Sequence, residues 1–139
     1  MPIRFFNEDI FFSIGSPVKH KKWLIKVIED EGYILSEINI TFCSDRHLLK
    51  INKEFLNHDY FTDIITFDYS SGNTISGELF ISVERVKENS KFHKNLFFEE
   101  LDRVLIHGIL HLLKYKDNNK PNIDTIRKKE DLWLSLRSF

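Results

Sequence analysis

Two histidines, His107 and His111, stand four residues apart in the stretch LDRVLIHGILHLLKYKD. On a helix that spacing points both imidazoles the same way, which makes a ready pair of metal ligands. A lone histidine on an apolar helix face is more often a hydrogen-bonded core residue; a pair at this interval shifts the balance toward ligation. Six residues after His111 comes Asp117. Read alone, an Asp followed by two Asn is a loop-capping residue. If the chain turns back past the helix end, the same carboxylate completes a three-ligand site. Three protein ligands leave one coordination position open, the arrangement of catalytic rather than structural zinc.

The zinc-protease signature uses the same histidine pair but places Glu directly after the first His, as general base. Here that place is Gly108. A protease would need its base from elsewhere, for instance Glu100, and is the least favoured reading. No G-x-S-x-G run is present, and five glycines in the whole chain leave no phosphate-cradling loop. Serine hydrolysis and P-loop nucleotide chemistry are therefore set aside.

The 139 residues, 42% of them apolar, fit one domain over 1–139 with a core that needs no disulfide. Cys43, in the run INITFCS, reads as a small core residue of a buried strand, and a cytoplasmic setting is expected. The start of the chain lacks the features of a secretion signal, and no stretch is long enough to span a membrane. A net charge of −1 confines any nucleic-acid contact to local patches. One patch is Lys19, His20, Lys21 and Lys22; the other gathers Lys114, Lys116, Lys120, Arg127, Lys128 and Lys129 after the histidine pair. Solvated helix surface explains either patch by itself, and nearness to a metal adds interest to the second.

The elements that must position these residues follow from periodicity. Residues 17–28 form an amphipathic helix with Trp23, Leu24, Val27 and Ile28 on one side, and residues 37–44 a strand. Ser44 caps a second helix carrying Leu48, Leu49, Ile51, Phe55 and Leu56. Residues 63–69 and 75–83 are strands joined through SSGNT as a hairpin. Helices are expected over 84–92, over 98–114 around the histidines, and over 123–137, the last packed through Ile126, Leu132, Trp133 and Leu136; 57–61 and 118–122 read as loops. The fold class is α+β: a small mixed sheet of about four strands covered by helices, with the metal site on a late helix and the loop after it.

HGILHLLKYKD resembles the H-G-x-L-H-L-x-G-Y-D-H motif of the YbeY family of metal-dependent endoribonucleases. Further stretches agree in order and interval. Asn52 to Phe67 (NKEFLNHDYFTDIITF) is similar to N-x-x-Y/F-R, a short loop, then T-D-V-L-S-F, with Thr62, Asp63 and Phe67 in place. Gly77-Glu78-Leu79 through Ser82 resembles the family's G-D-I-x-I-S strand, and Glu100-Leu101 the E-L that opens the histidine helix. The resemblance implies an α+β domain with one zinc ion per chain, and single-strand-specific RNA cleavage in 16S ribosomal RNA 3′-end maturation and ribosome quality control on the small subunit.

Carried over residue by residue, the catalytic and metal-binding set is His107, His111 and Asp117. Asp stands where the family has a third His; its oxygen suits zinc and also harder divalent ions. Leu56 stands at the family's Arg and cannot hold a phosphate, for which Lys53, His58 and Arg85 are the candidate replacements. Lys114 stands at a family Gly that ends the helix. Tyr60, Phe61 and Tyr115 are aromatic candidates for stacking on unpaired bases, with Tyr115 better read as packing. Two other functions stay open: a ribosome-associated binding module whose metal is structural, and a metal-dependent hydrolase of some other substrate.

Overall fold

A computed structural model of the chain describes residues 2–139. Its strands are β1 (Ile3–Asn7), β2 (Ile34–Cys43), β3 (Ile64–Asp68) and β4 (Thr74–Ser82). Its helices are α1 (Pro17–Asp30), α2 (Asp45–Leu56), α3 (Val83–Phe92), α4 (Phe97–Leu112) and α5 (Lys120–Ser135). The strands form one sheet in the order β1-β2-β4-β3, with β1 and β4 parallel to β2 and β3 antiparallel to β4. This is the expected α+β architecture with a mixed four-stranded sheet.

The sheet divides the core. Ile38, Ile40 and Phe42 of β2 alternate along one face and, with Leu79 and Ile81 of β4, pack under α1 and α4. Cys43 and Ile65 lie on the opposite face beneath Leu48 and Ile51 of α2. Burial pushes the Cys43 thiol up to about 12, so it is an inert core residue. Each fully buried aliphatic side chain contributes about 1.5–3 kcal/mol through removal from water.

Two strand features escape the alternation pattern. β1 buries Ile3 and packs Phe5 on Phe42 but leaves Arg4, Phe6 and Asn7 exposed, so this edge strand is held by its ladder to β2 and by a two-residue apolar face. β2 begins at Ile34 instead of residue 37 because its register shifts between Leu35 and Glu37, and that irregularity breaks the period of two.

Helix α4 lies across the sheet through Leu101, Val104, Leu105, Ile109, Leu110 and Leu112, all buried as their spacing predicts. Gly108 brings the helix close to the strands: a Cβ there would stand 2.7 Å from Ile64 Cδ1 and 3.1 Å from Leu79 Cδ1. A glutamate after the first histidine would have to enter this packed interface and displace the ends of Ile64 and Leu79, so the position is a packing site with no room left for a base. Glu100 does not replace it, because its buried carboxylate accepts a 2.6 Å hydrogen bond from His93 Nδ1.

The chain reverses tightly at the end of α4. Tyr115 N–H donates to Leu110 O and Lys114 N–H to His111 O, both at 3.1 Å, while Lys114 takes φ 77. This is a Schellman ending with lysine in the left-handed position that glycine favours. Helix α5 then starts earlier than expected, since Asn119 accepts from Asn122 N–H at 2.9 Å and Pro121 occupies the first turn. Its inward face also differs from expectation. Ile126 and Trp133 are buried, but Leu132 and Leu136 are exposed, and Glu130 takes the inward position between the buried pair.

Glu31, at the end of α1, fastens both late segments. Its carboxylate accepts from Tyr115 Oη at 2.7 Å, Lys129 Nζ at 2.9 Å and Trp133 Nε1 at 3.2 Å. Burial alone pushes this carboxyl up, but the three donors outweigh it and hold the group below its ordinary value.

Two outcomes follow for stability. Lys114→Gly should raise the unfolding free energy by about 1 kcal/mol by relieving the left-handed strain; an unchanged or lower urea midpoint would contradict the strain. A carboxyl lowered on folding stabilises fully above its unfolded value, about 4.3, and loses that contribution as pH falls through the lower folded value. The stability gap between the native chain and Glu31→Gln, followed by urea melts across pH, should therefore be widest near neutrality and close in acid.

Candidate metal centre

The two histidines meet as the helical interval predicts. His107 Nε2 and His111 Nε2 stand 2.9 Å apart with their ring planes at 79°, so the two nitrogens converge instead of stacking. The turn after α4 brings Asp117 to them, its Oδ2 lying 3.5 Å from His107 Nε2 and 3.3 Å from His111 Nε2. Ligand atoms held 2.0–2.1 Å from one tetrahedral zinc stand about 3.3 Å from each other, so the triangle has the size a single cation requires.

The donor set also fits a cation chemically. Glu130 Oε2 lies 2.6 Å from His107 Nδ1, which places that ring's N–H toward Glu130 and its Nε2 lone pair toward His111 and Asp117. Glu130 is buried and in turn accepts from Arg103 Nη1 at 2.9 Å, while Arg103 Nη2 reaches Asp131 at 2.7 Å. Lone pairs and a carboxylate facing one point repel each other unless positive charge sits between them.

The titration shifts reflect this crowding of ionisable groups. Burial pulls His107 down, but the Glu130 hydrogen bond and charge, with Asp117 and Asp63, outweigh it and leave the ring above its ordinary value. Burial and the charge of His107 carry His111 below its ordinary value despite Asp117. Burial raises the Glu130 carboxyl, yet His107 and Arg103 bring it below the usual range, so it stays ionised against the ring. Burial pushes Asp63 up, opposed by the charge of His107.

The three groups open into a cavity of about 540 Å³ between α4, β3 and the segment after α2. That segment is anchored by Asn52, a buried side chain whose Nδ2 donates to Tyr60 O at 3.0 Å. His58 and Tyr60 stack on each other, centroids 5.2 Å apart, at the cavity wall. Phe61 is half-exposed next to them, beneath the Arg85 guanidinium at 5.1 Å.

Of the three cations considered for phosphate, only His58 lines this cavity. Lys53 pairs with Asp59 at 3.3 Å, and Arg85 is held by Asp45 at 2.6 Å. Tyr115 turns away to Glu31. His20, grouped by sequence with a surface patch, is buried and bonded to Asp102 at 2.9 Å. Sequence reasoning gave no role to Glu130 and did not place Asp63 beside His107. The signal for Glu130 was available: an acidic residue spaced i+4 from Ile126 and i−3 from Trp133 sits on an apolar stripe.

Comparison with known proteins gives the family. A family model described as endoribonuclease YbeY matches residues 9–136. The chain is 45% identical over 138 residues to an endoribonuclease YbeY of Cytophaga hutchinsonii, covering 99% of this chain and 96% of that one. It is 50% identical over 131 residues to an endoribonuclease YbeY of Flavobacterium johnsoniae, 94% of each chain. A solution structure of a Thermotoga maritima protein is similar with a TM-score of 0.64 and 28% identity, over 95% of this chain and 88% of that one.

Replacing Glu130 by Gln keeps the shape and removes the charge that orients His107. The variant should bind zinc about 10–100-fold more weakly than the native chain in a chelator competition at neutral pH. Equal affinity would show that the carboxylate plays no part in presenting the ring.

Proposed function

The chain belongs to the YbeY endoribonuclease family, and from that premise we propose that it is a metal-dependent, single-strand-specific endoribonuclease whose divalent ion, zinc, is held by His107, His111 and Asp117. The observation that carries this reading is the convergence of two imidazole nitrogens and one carboxylate oxygen at the wall of an open cavity. Bound there, a divalent cation supplies Lewis acidity and brings the pKa of water into the neutral range. The chain's own groups do the rest. Glu130 keeps the His107 proton on Nδ1, and the cavity admits a strand whose bases are unpaired. Tyr60 and Phe61 at its margin offer faces for those bases. The substrate we assign is small-subunit (16S) ribosomal RNA in the cytoplasm, in 3′-end maturation and ribosome quality control.

The alternative of a structural metal in a ribosome-binding module fits less well. Structural zinc is closed by four protein ligands, and among the described residues only three His, Cys, Asp or Glu side chains converge. An oxygen ligand also accommodates harder divalent ions, so metal exchange belongs in the test.

Purified protein should cut single-stranded ribosomal RNA, spare duplex RNA, fall silent with chelator while remaining folded by circular dichroism, and recover with zinc. His111→Ala should lose both bound metal and cleavage. Cleavage retained by pure His111→Ala protein would overturn the proposal, and a chelated chain that unfolds without ever having cleaved would favour the structural metal.

A further inference from the structure

Resting on the reading above that the site takes single-stranded RNA, we propose that Arg127 binds a phosphate adjoining the scissile one, so that the strand crosses the metal centre into a second cavity. That cavity, about 330 Å³, shares Asp63, His107 and Asp117 with the first. Asp63, Glu100, His107 and Asp117 of its lining belong to the sequence motifs, but its outer wall comes from α5, which carries none of them.

Helix α5 lines it with Ile123, Ile126, Arg127 and Glu130, positions i, i+3, i+4 and i+7 of one face. Glu130 is the residue whose carboxylate holds His107. Arg127 therefore sits about one helical turn, roughly 5 Å along the axis, from a group touching a metal ligand. That reach suits a neighbouring phosphate better than the scissile one.

An unpaired cation distinguishes this side. The wall of the first cavity carries Asp63, Asp68 and Asp117 and, among the described residues, no lysine or arginine, although Lys114 reaches Asp68 at 3.8 Å. A strand lying wholly within it would set its phosphates against carboxylates. The second cavity shares Asp63 and Asp117, but the acidic groups it adds are committed, Glu130 to Arg103 and His107 and Glu100 to His93. Arg103 is likewise taken up by Glu130 and Asp131. Arg127 is exposed and, among the described residues, makes no ion pair, so its planar fork is available for two phosphate oxygens. Ile64 and Val104 on the same wall give a sugar or base an apolar surface to rest on.

The test is binding of a short fluorescent single-stranded RNA by the full, zinc-loaded chain over a range of salt. Each phosphate neutralised on a single strand contributes about −0.7 to the slope of log affinity against log salt. Arg127→Ala should flatten the slope by about 0.7 and weaken binding about tenfold at low salt, with an unchanged melting temperature. Arg127→Lys should keep the slope while losing part of the affinity, since it retains charge without the fork. In cleavage the alanine variant should raise KM far more than it lowers kcat. Lys26→Ala, which removes an exposed cation from α1, should leave slope and affinity at native values. Native affinity and slope in Arg127→Ala would overturn the assignment. A native protein that neither binds nor cuts the RNA would instead overturn the function it rests on.

Discussion

The 2.6 Å hydrogen bond between Glu130 and His107 Nδ1 ties α5 to α4 and settles what His107 is able to do. A histidine so bonded has one tautomer and one ring orientation, with its remaining lone pair aimed outward at His111 and Asp117. Because Glu130 is buried, its charge is affordable only with partners, and Arg103 and His107 are those partners. Packing and chemistry are thereby the same interaction: the carboxylate that presents the ligand is also a reason the last helix docks where it does.

That docking has a second fastening at the opposite side of α5. Glu31 joins α1 to Tyr115 in the turn after α4 and to Lys129 and Trp133 of α5. The turn itself is strained at Lys114, whose φ of 77 costs an L-residue about 1–2 kcal/mol relative to glycine. The strain persists because the reversal is over-determined by the two Schellman hydrogen bonds and by the Tyr115–Glu31 contact. Its consequence is functional, since only a tight reversal returns Asp117 to a helix face it has already passed.

Much of this was legible from residue spacing, and the failures have physical causes. The α4 stripe and the histidine interval are local properties of one helix, so periodicity reads them correctly. Asp117 belongs to a turn whose φ values a sequence with lysine in place of glycine does not advertise. Glu130 is hidden from a periodicity of apolar residues, which gives weight to Leu132 and Leu136, and these face solvent. β1 was missed because an edge strand with one buried side chain carries almost no alternation, and its existence depends on a partner thirty-odd residues away. The candidate cations illustrate a similar point: Lys53 and Arg85 pair with Asp59 and Asp45 in space, which no spacing in the sequence shows.

The same distinction between sequence proximity and spatial commitment bears on how a chain of net charge −1 holds a polyanion. It has no overall positive field to draw nucleic acid from a distance, so attraction must come from charges that the strand meets at short range. The first cavity contributes hydrogen-bonding side chains, aromatic faces and three aspartates, one of them in the triangle with His107 and His111. Such a surface repels a phosphate backbone laid flat on it, and it favours an unpaired base turned inward with its backbone directed elsewhere. A rigid duplex is unable to separate base from backbone in that way. The preference for single strands proposed above would then follow from where the carboxylates lie, ahead of any contact that reads a particular base.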